Sequence, residues 1–264
     1  MTTRMVDALY PPTTAAELST IYAQTGAKTL AVYLPKWGTP KVLDAPDPTA
    51  ICKLAISLGW SVHLIGDPDH NALTSLELAG AAAFDVLVTM MLAFLGSIGA
   101  DLAHPGACSF DLEESDFTAN PGLCAELAGL FYQAGNGKGI LPCQYGNPNL
   151  LAKVATLPDA QRPEYVWIAY YPGGGAWPAS PQTGPVGVDG LWTGAGQRAW
   201  QWHGGIDIGG VNVDLSVVDW PCWSAAPPVA PTPIPTPTPT PPKAVQLMAG
   251  QPYLTPKGDT LTLS

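Results

Sequence analysis

Strand-like and helix-like segments alternate along most of this chain, and that alternation limits the folds open to it. Runs rich in β-branched and aromatic residues lie at 6–9, 29–34, 60–65, 107–112, 139–145, 166–171, 199–203 and 212–215. Helical patterns lie between them at 13–24, 48–58, 77–95 and 121–133. Strands joined through helices form mainly parallel sheets, so about eight strands in roughly 220 residues predict an α/β fold, a closed (β/α)8 TIM-like barrel. The last two strands lack a convincing helix between them, and the barrel is expected to be irregular there.

The composition changes abruptly after the last predicted strand. Residues 225–242 are dominated by Pro and Thr, which fixes φ, removes backbone donors and favours an extended spacer. Residues 243–264 have the pattern of a small hairpin and are too few to bury a core. We therefore predict a barrel over 1–224, a linker, and a short tail that docks on another chain; a disordered terminus is the alternative.

Charge excludes some classes of partner. The chain has 21 acidic and 11 basic residues, so it lacks the cationic surface needed to bind nucleic acid or an anionic membrane. The apolar segment 73–100 is interrupted by Glu77 and Asp85 and is interpreted as a packed helix, not a membrane span. The first residues have no apolar run typical of a secretory signal, so a classical export route is not expected.

The five cysteines are scattered without a C-x-x-C pair, and the four histidines show no ligand spacing. Neither a zinc site nor a dense disulfide scaffold is indicated. We expect mostly buried thiols, no metal and no cofactor.

An acid-x-acid pair, Asp111 and Glu113, ends the apolar run in the middle of the chain. On a strand both side chains lie on one face, about 6.5 to 7 Å apart. Repulsion and partial burial would separate their pKa values and leave one carboxyl protonated and one ionised, as glycosidic cleavage requires. The alternative is a strand end with two solvated acids.

The order of several motifs resembles a known family. These motifs are Val6-Asp7, Phe110-Asp111-Leu112-Glu113, Tyr145, Val166-Trp167-Ile168-Ala169-Tyr170, Trp200-Gln201-Trp202 and Val213-Asp214-Leu215-Ser216. Over about residues 5–220 the chain resembles the family 25 glycoside hydrolases, which are lysozyme-type muramidases, and related barrel domains of actinobacterial and phage proteins.

The resemblance implies an acidic cleft at the carboxyl ends of the strands that cuts the β-1,4 bond after N-acetylmuramic acid. Glu113 would be the general acid/base, and Asp111 would orient or stabilise the 2-acetamido group of the substrate. Asp7 and Asp214 would complete the acidic cluster, although each by itself also fits a solvated strand end or a turn cap. Tyr145 and Trp200 are the expected sugar contacts.

Two functions fit these observations. One is an active peptidoglycan muramidase, which the intact Asp-Leu-Glu motif supports. The other is a barrel with little or no turnover that binds the cell wall as a structural phage virion protein, with residues 243–264 contacting virion partners. The expected location is therefore a phage virion, the host cell wall or the extracellular space.

Overall fold

Eight strands close into one barrel in their order along the chain. The computed structural model describes residues 2–35, 45–67, 80–112, 120–172, 176–181, 191–192, 196–226, 253–254 and 260–261. The chain divides into two compact units, 1–227 and 228–264, and the barrel lies in the first. Its strands are β1 (Thr3–Asp7), β2 (Thr29–Tyr33), β3 (Ser61–Gly66), β4 (Ala107–Asp111), β5 (Leu141–Gly146), β6 (Tyr165–Ala169), β7 (Arg198–Ile208) and β8 (Val211–Val218).

The direction of β8 distinguishes this barrel from a regular (β/α)8 barrel. Strands β1 to β7 are parallel to their neighbours, whereas β8 is antiparallel to both β7 and β1. Ile208 pairs with Val211, which leaves only Gly209 and Gly210 in the loop, at φ +65° and +88°. A two-residue loop with positive φ joins antiparallel strands only, since a parallel crossover needs a dozen or more residues. The irregularity expected at the last two strands is therefore a hairpin formed by β7 and β8.

Five α-helices are described, and each follows one of the strands β1 to β5. They are α1 (Ala15–Thr25), α2 (Thr49–Ser57), α3 (Ala81–Ile98), α4 (Pro121–Gly135) and α5 (Pro148–Val154). Helix α1 begins with a capping box between Thr14 and Glu17, which satisfies backbone donors at its first turn. Helix α5 was not predicted, although Pro148 at its first position and the Asn147 side chain, which accepts from Leu150 N at 2.9 Å, are ordinary start signals.

Alternation along the strands sorts the apolar side chains into two cores. Met5, Ala31, Cys143 and Trp167 belong to the cluster inside the barrel. Their neighbours in sequence belong to the larger cluster between the barrel and the helices, for example Val6, Leu30, Val32 and Val166. The parity of each strand therefore decides which residues can reach the barrel interior.

Helix α3 is long and apolar enough to cross a membrane by length and composition. Seven of its side chains are buried, and the helix packs against α2 and α4. The buried residues, which include Phe84, Leu87 and Met91, are part of the outer core. A helix with this pattern of burial fits the packed helix that the sequence predicts.

The segment that follows β8 lies at the amino ends of β3 and β4. Val62 and Trp223 exchange two backbone hydrogen bonds of 2.7 and 2.9 Å, and Ala107 N donates to Pro221 O at 2.9 Å. Trp223 is fully buried and Trp220 nearly so. Because Trp220 belongs to the interior cluster, this segment supplies the floor of the barrel.

The second unit contains a short antiparallel pair. Strands β9 (Tyr253–Leu254) and β10 (Thr260–Leu261) pair Tyr253 with Leu261 and Leu254 with Thr260. This is the strand pairing expected of the small hairpin predicted for residues 243–264.

Candidate active site

A cavity of about 760 Å³ opens at the carboxyl ends of the parallel strands. In barrels of this kind the active site lies at that end, where the loops that follow the strands meet. Six strands contribute polar lining residues. Four of these residues lie at or next to the carboxyl ends of their strands: Asp7 on β1, Tyr33 on β2, Asp111 on β4 and Tyr145 on β5. Gln201 and Asp214 lie within the longer strands β7 and β8.

These cleft residues follow from strand parity. Asp7 lies two residues after Met5, Tyr33 two after Ala31, and Tyr145 two after Cys143. Residues two apart point to the same face, so each polar side chain extends the interior row by one position towards the opening. The apolar interior thus ends in a layer of carboxyl, hydroxyl and amide groups.

Asp7 and Asp214 form a cross-strand pair. They are opposite each other in the antiparallel register of β1 and β8, which places their Cβ atoms roughly 4.5 to 5.5 Å apart. Gln201 Nε2 donates to Asp214 Oδ2 at 2.9 Å and to the two oxygens of Asp7 at 3.2 and 3.4 Å. Burial, followed by the charge of Asp214, raises the pKa of Asp7 well above its ordinary value. Burial also raises the pKa of Asp214.

A bulge in β7 provides a further contact to Asp214. The register between β7 and β8 shifts between Gln201 and His203 and again before Ile206. Within this bulge Gly205 N donates to Asp214 Oδ1 at 2.6 Å. A Cβ atom on Gly204 would lie 3.2 Å from Asp214 Oδ1 and 3.3 Å from the ring of Tyr171. The bulge therefore both binds this carboxylate and needs a small residue beside it.

Asp111 lies on β4, across the barrel opening from Asp7 on β1 and Asp214 on β8. It is buried and its Oδ2 accepts from the Tyr33 hydroxyl at 3.3 Å. Its partner in the β4 and β5 register is Tyr145. Glu113, the predicted acid two positions later in the sequence, lies outside the described residues.

Two tyrosines bind the Gln201 side chain. The hydroxyls of Tyr145 and Tyr171 donate to Gln201 Oε1 at 2.6 and 2.7 Å. Burial, followed by the charge of Asp111, raises the pKa of Tyr145 well above its ordinary value. Burial raises the pKa of Tyr171 as well, so both hydroxyls keep their protons at neutral pH and act as donors.

The structure brings most of the predicted site residues together. Asp7, Asp111, Asp214 and Tyr145 all line the cleft. Trp200 lies elsewhere, because β7 directs it into the outer core, where its Nε1 donates to Tyr170 O at 2.9 Å.

Gln201, Tyr33 and Tyr171 line the cleft and make hydrogen bonds there, and none of them belonged to the predicted site. Gln201 was quoted only as part of a motif, and alternation along β7 would have separated its inward side chain from that of Trp200. No sequence signal pairs Tyr171 with an amide on β7. In the described part of the chain no group of three or more His, Cys, Asp or Glu side chains is arranged to hold a metal ion.

Comparisons with known proteins show relatives in structure only. No protein-family model matches the sequence, and no curated protein matches it significantly. An uncharacterised protein of B. stearothermophilus is 18% identical with a TM-score of 0.55, over 82% of this chain and 96% of that one. The Tat-secreted protein Rv2525c of Mycobacterium tuberculosis, in complex with L-tartrate, is 14% identical with a TM-score of 0.50, over 82% and 95% of the two chains.

The modular autolysin LytC of Streptococcus pneumoniae is more distant. It is 11% identical with a TM-score of 0.49, and the match covers 84% of this chain and 46% of LytC. The likenesses to the first two proteins extend over nearly all of each relative and show a shared barrel fold.

Proposed function

We propose that this chain is a peptidoglycan-directed glycoside hydrolase of the muramidase type. The observation that carries the proposal is the gathering of Asp7, Asp111 and Asp214, which are distant in sequence, in one open cleft at the carboxyl ends of the strands. Glycosidic cleavage uses a pair of carboxyl groups, one as the acid and one as the base or stabilising charge. The Asp-Leu-Glu motif adds Glu113 two residues after Asp111.

The proposed chemistry uses carboxyl groups in two states. Glu113 gives its proton to the glycosidic oxygen as the bond to the leaving sugar breaks. Asp111 orients the 2-acetamido group of the substrate, which attacks the anomeric carbon, and water then opens the intermediate while Glu113 takes a proton back. Asp7 and Asp214 place negative charge beside the developing positive charge on the ring.

The rim of the cleft favours a sugar ligand. Tyr170 and Tyr171 line the cavity and remain 46% and 50% exposed. Exposed tyrosines offer a flat apolar ring and a polar hydroxyl, which match the two kinds of surface on a sugar. With the chain carrying a formal charge of -10, a phosphate-rich ligand is disfavoured. These rings replace Trp200 as the proposed stacking surface.

Digestion of purified peptidoglycan tests the proposal. The wild-type chain is expected to release new reducing ends. When the digestion products are reduced with borohydride and then hydrolysed with acid, the sugar converted to its alcohol should be N-acetylmuramic acid, not N-acetylglucosamine. Glu113→Gln keeps the shape and removes the titrating proton, so activity should fall by about 10²- to 10⁴-fold. Glu126→Gln, on the exposed side of α4, is the matched control and should retain activity.

One observation favours a second candidate, a glycan-binding barrel with little turnover. The carboxyls of Asp7 and Asp214 are already engaged by the Gln201 amide, as in a site arranged for binding. In that case the wild-type chain sediments with peptidoglycan, releases no reducing ends, and Glu113→Gln binds equally well. This result would contradict the muramidase proposal and leave the glycan as a ligand.

A further inference from the structure

The Gln201 side chain uses its whole hydrogen-bonding capacity inside the cleft. Its Oε1 accepts from two hydroxyls, those of Tyr145 and Tyr171, at 2.6 and 2.7 Å. A carbonyl oxygen has two lone pairs and an amide nitrogen has two hydrogens. Because both hydroxyls donate to the oxygen, the NH₂ group faces the carboxyls. In the flipped orientation the amide oxygen would face the carboxyl oxygens, where only a protonated carboxyl could donate to it.

The two N–H groups of this amide are divided between two acids. One reaches Asp214 Oδ2 at 2.9 Å, and the other lies between the oxygens of Asp7 at 3.2 and 3.4 Å. The amide is neutral, so it orients the carboxyls without cancelling their charges. Two ionised carboxylates held this closely in a buried site repel each other, and such pairs retain one proton.

We propose that Gln201 is a positioning residue that holds Asp7 and Asp214 as a pair sharing one proton at neutral pH. The inference deepens the proposed function and rests on it for its role in catalysis. The pair then contributes one negative charge beside the sugar ring, and its proton makes it a hydrogen-bond donor to a sugar hydroxyl or ring substituent. The Asp7 and Asp214 pair is thus a second proton-carrying group, distinct from the acid proposed at Glu113.

The two carboxyls of the pair have different surroundings. Burial and the charge of Asp214 raise the pKa of Asp7. Asp214 is less buried, and the Gly205 N–H and the charge of His203 oppose the rise in its pKa. The other described titratable groups that line the cavity are Tyr33 on β2, Asp111 on β4, Tyr145 on β5, and Tyr170 and Tyr171 after β6.

Carboxyl ¹³C chemical shifts of aspartate-labelled protein, followed against pH, measure this pair without a substrate. Spectra of Asp7→Asn and Asp214→Asn assign the two signals. In the wild-type chain we expect one proton to be lost well above the ordinary aspartate pKa near 3.9, with both signals responding to that step. Two independent titrations near 3.9 would overturn the proposal.

Gln201→Leu replaces the amide beside the pair with an apolar side chain that is one atom shorter. Without the two N–H donors the ionised form of the pair is less stable. The higher of the two pKa values of the pair, called the upper pKa, should therefore rise by roughly one unit. The double variant Tyr145→Phe with Tyr171→Phe removes both hydroxyl donors from the amide oxygen of Gln201 and should raise the same pKa. Tyr171→Phe by itself should change it less. Gln133→Leu, an exposed change on α4, should leave it unchanged.

The outcomes separate this proposal from the muramidase proposal. An upper pKa that is the same in wild type and Gln201→Leu, with wild-type thermal unfolding retained, would overturn the role of Gln201. If Gln201→Leu does not fold, the tyrosine double variant decides the matter by the same titration. A shared proton in a chain that releases no reducing ends supports the pair and contradicts the hydrolase. If the chain is active, Gln201→Leu should shift the alkaline limb of the pH profile of kcat in the same direction as the titration.

Discussion

The two ends of the barrel interior are lined by the same inward-facing rows of residues, yet they use burial in different ways. At the carboxyl end burial raises the pKa of Asp7. Nearer the floor His63 is fully buried between Trp167 and Trp220, at ring distances of 5.4 and 5.9 Å, and burial lowers its pKa to about 3. Desolvation favours the neutral form of both groups.

Access to solvent distinguishes these two buried groups. Asp7 lines an open cavity, so its proton can exchange with water or a ligand. His63 Nε2 lies 2.7 Å from Ser109 Oγ, and the segment carrying Trp220 and Trp223 covers the floor. The same desolvation therefore acts on a carboxyl that lines the cavity at the open end and on an imidazole enclosed in the core at the closed end.

The largest expected effect comes from removing the titrating group at the open end. Asp7→Asn keeps the shape and an acceptor for Gln201 but cannot ionise, so we expect peptidoglycan cleavage to fall by about 10²-fold or more. Asp207→Asn, on an exposed part of β7, is the control. Unchanged cleavage by Asp7→Asn would show that the Asp7 carboxyl takes no part in the mechanism.

The same variant has a second, opposite effect on stability. The folded pKa of Asp7 is raised by burial and by Asp214, so its contribution to stability is present below the unfolded pKa near 3.9 and is lost as pH rises through the folded pKa. Asp7→Asn should therefore unfold at a higher temperature than the wild type at pH 8. The two unfolding temperatures should approach each other below about pH 4, and a lower value for Asp7→Asn at pH 8 would contradict this account.

The next effect concerns the floor. Trp223 is fully buried and its backbone pairs with Val62, so Trp223→Ala should lower the free energy of unfolding by about 3 to 5 kcal/mol. Tyr10→Ala, at a 54% exposed position, should cost far less. Urea unfolding of both variants measures the difference, and equal costs would show that the floor does not hold the closed end.

A smaller effect is expected from His63. Its folded pKa is lowered to about 3 by burial, below the unfolded value near 6.5, so its contribution to stability is present above pH 6.5 and is lost as pH falls towards 3. Between pH 7 and pH 4.5 the wild type should lose more stability than His63→Gln. Parallel slopes in the wild type and His63→Gln would exclude His63 as the acid-sensitive group.

The smallest effect is expected outside the barrel. Residues 228–264 form a separate compact unit, so a chain ending at residue 227 should unfold within about 2 °C of the full chain. Calorimetry of the two chains measures this. A larger shift would show that the tail stabilises the barrel, in place of the docking role proposed for residues 243–264.

Much of the barrel was predictable because its signals are local. Thr14 and Glu17 fix the start of α1 through a capping box, and the apolar runs around Val32 and Phe110 became strands β2 and β4. Helix α5 was missed because its seven residues are too few to show a helical period, so only its capping residues indicated it. Trp200 was placed in the cleft because aromatic residues suit sugars, although strand parity assigns that position to Gln201.

The sequence by itself determined that strands and helices alternate, and that Asp7 and Asp111 come at strand ends. Only the tertiary structure decided which acids meet. The Gly209-Gly210 loop reverses β8, closure places β8 against β1, and Asp7 then lies opposite Asp214. The hydrogen bond from Gln201 to Asp7 spans 194 positions of the chain. Local periodicity fixes the face on which a side chain lies, whereas such a contact depends on the register and direction of strands that pair only when the barrel closes.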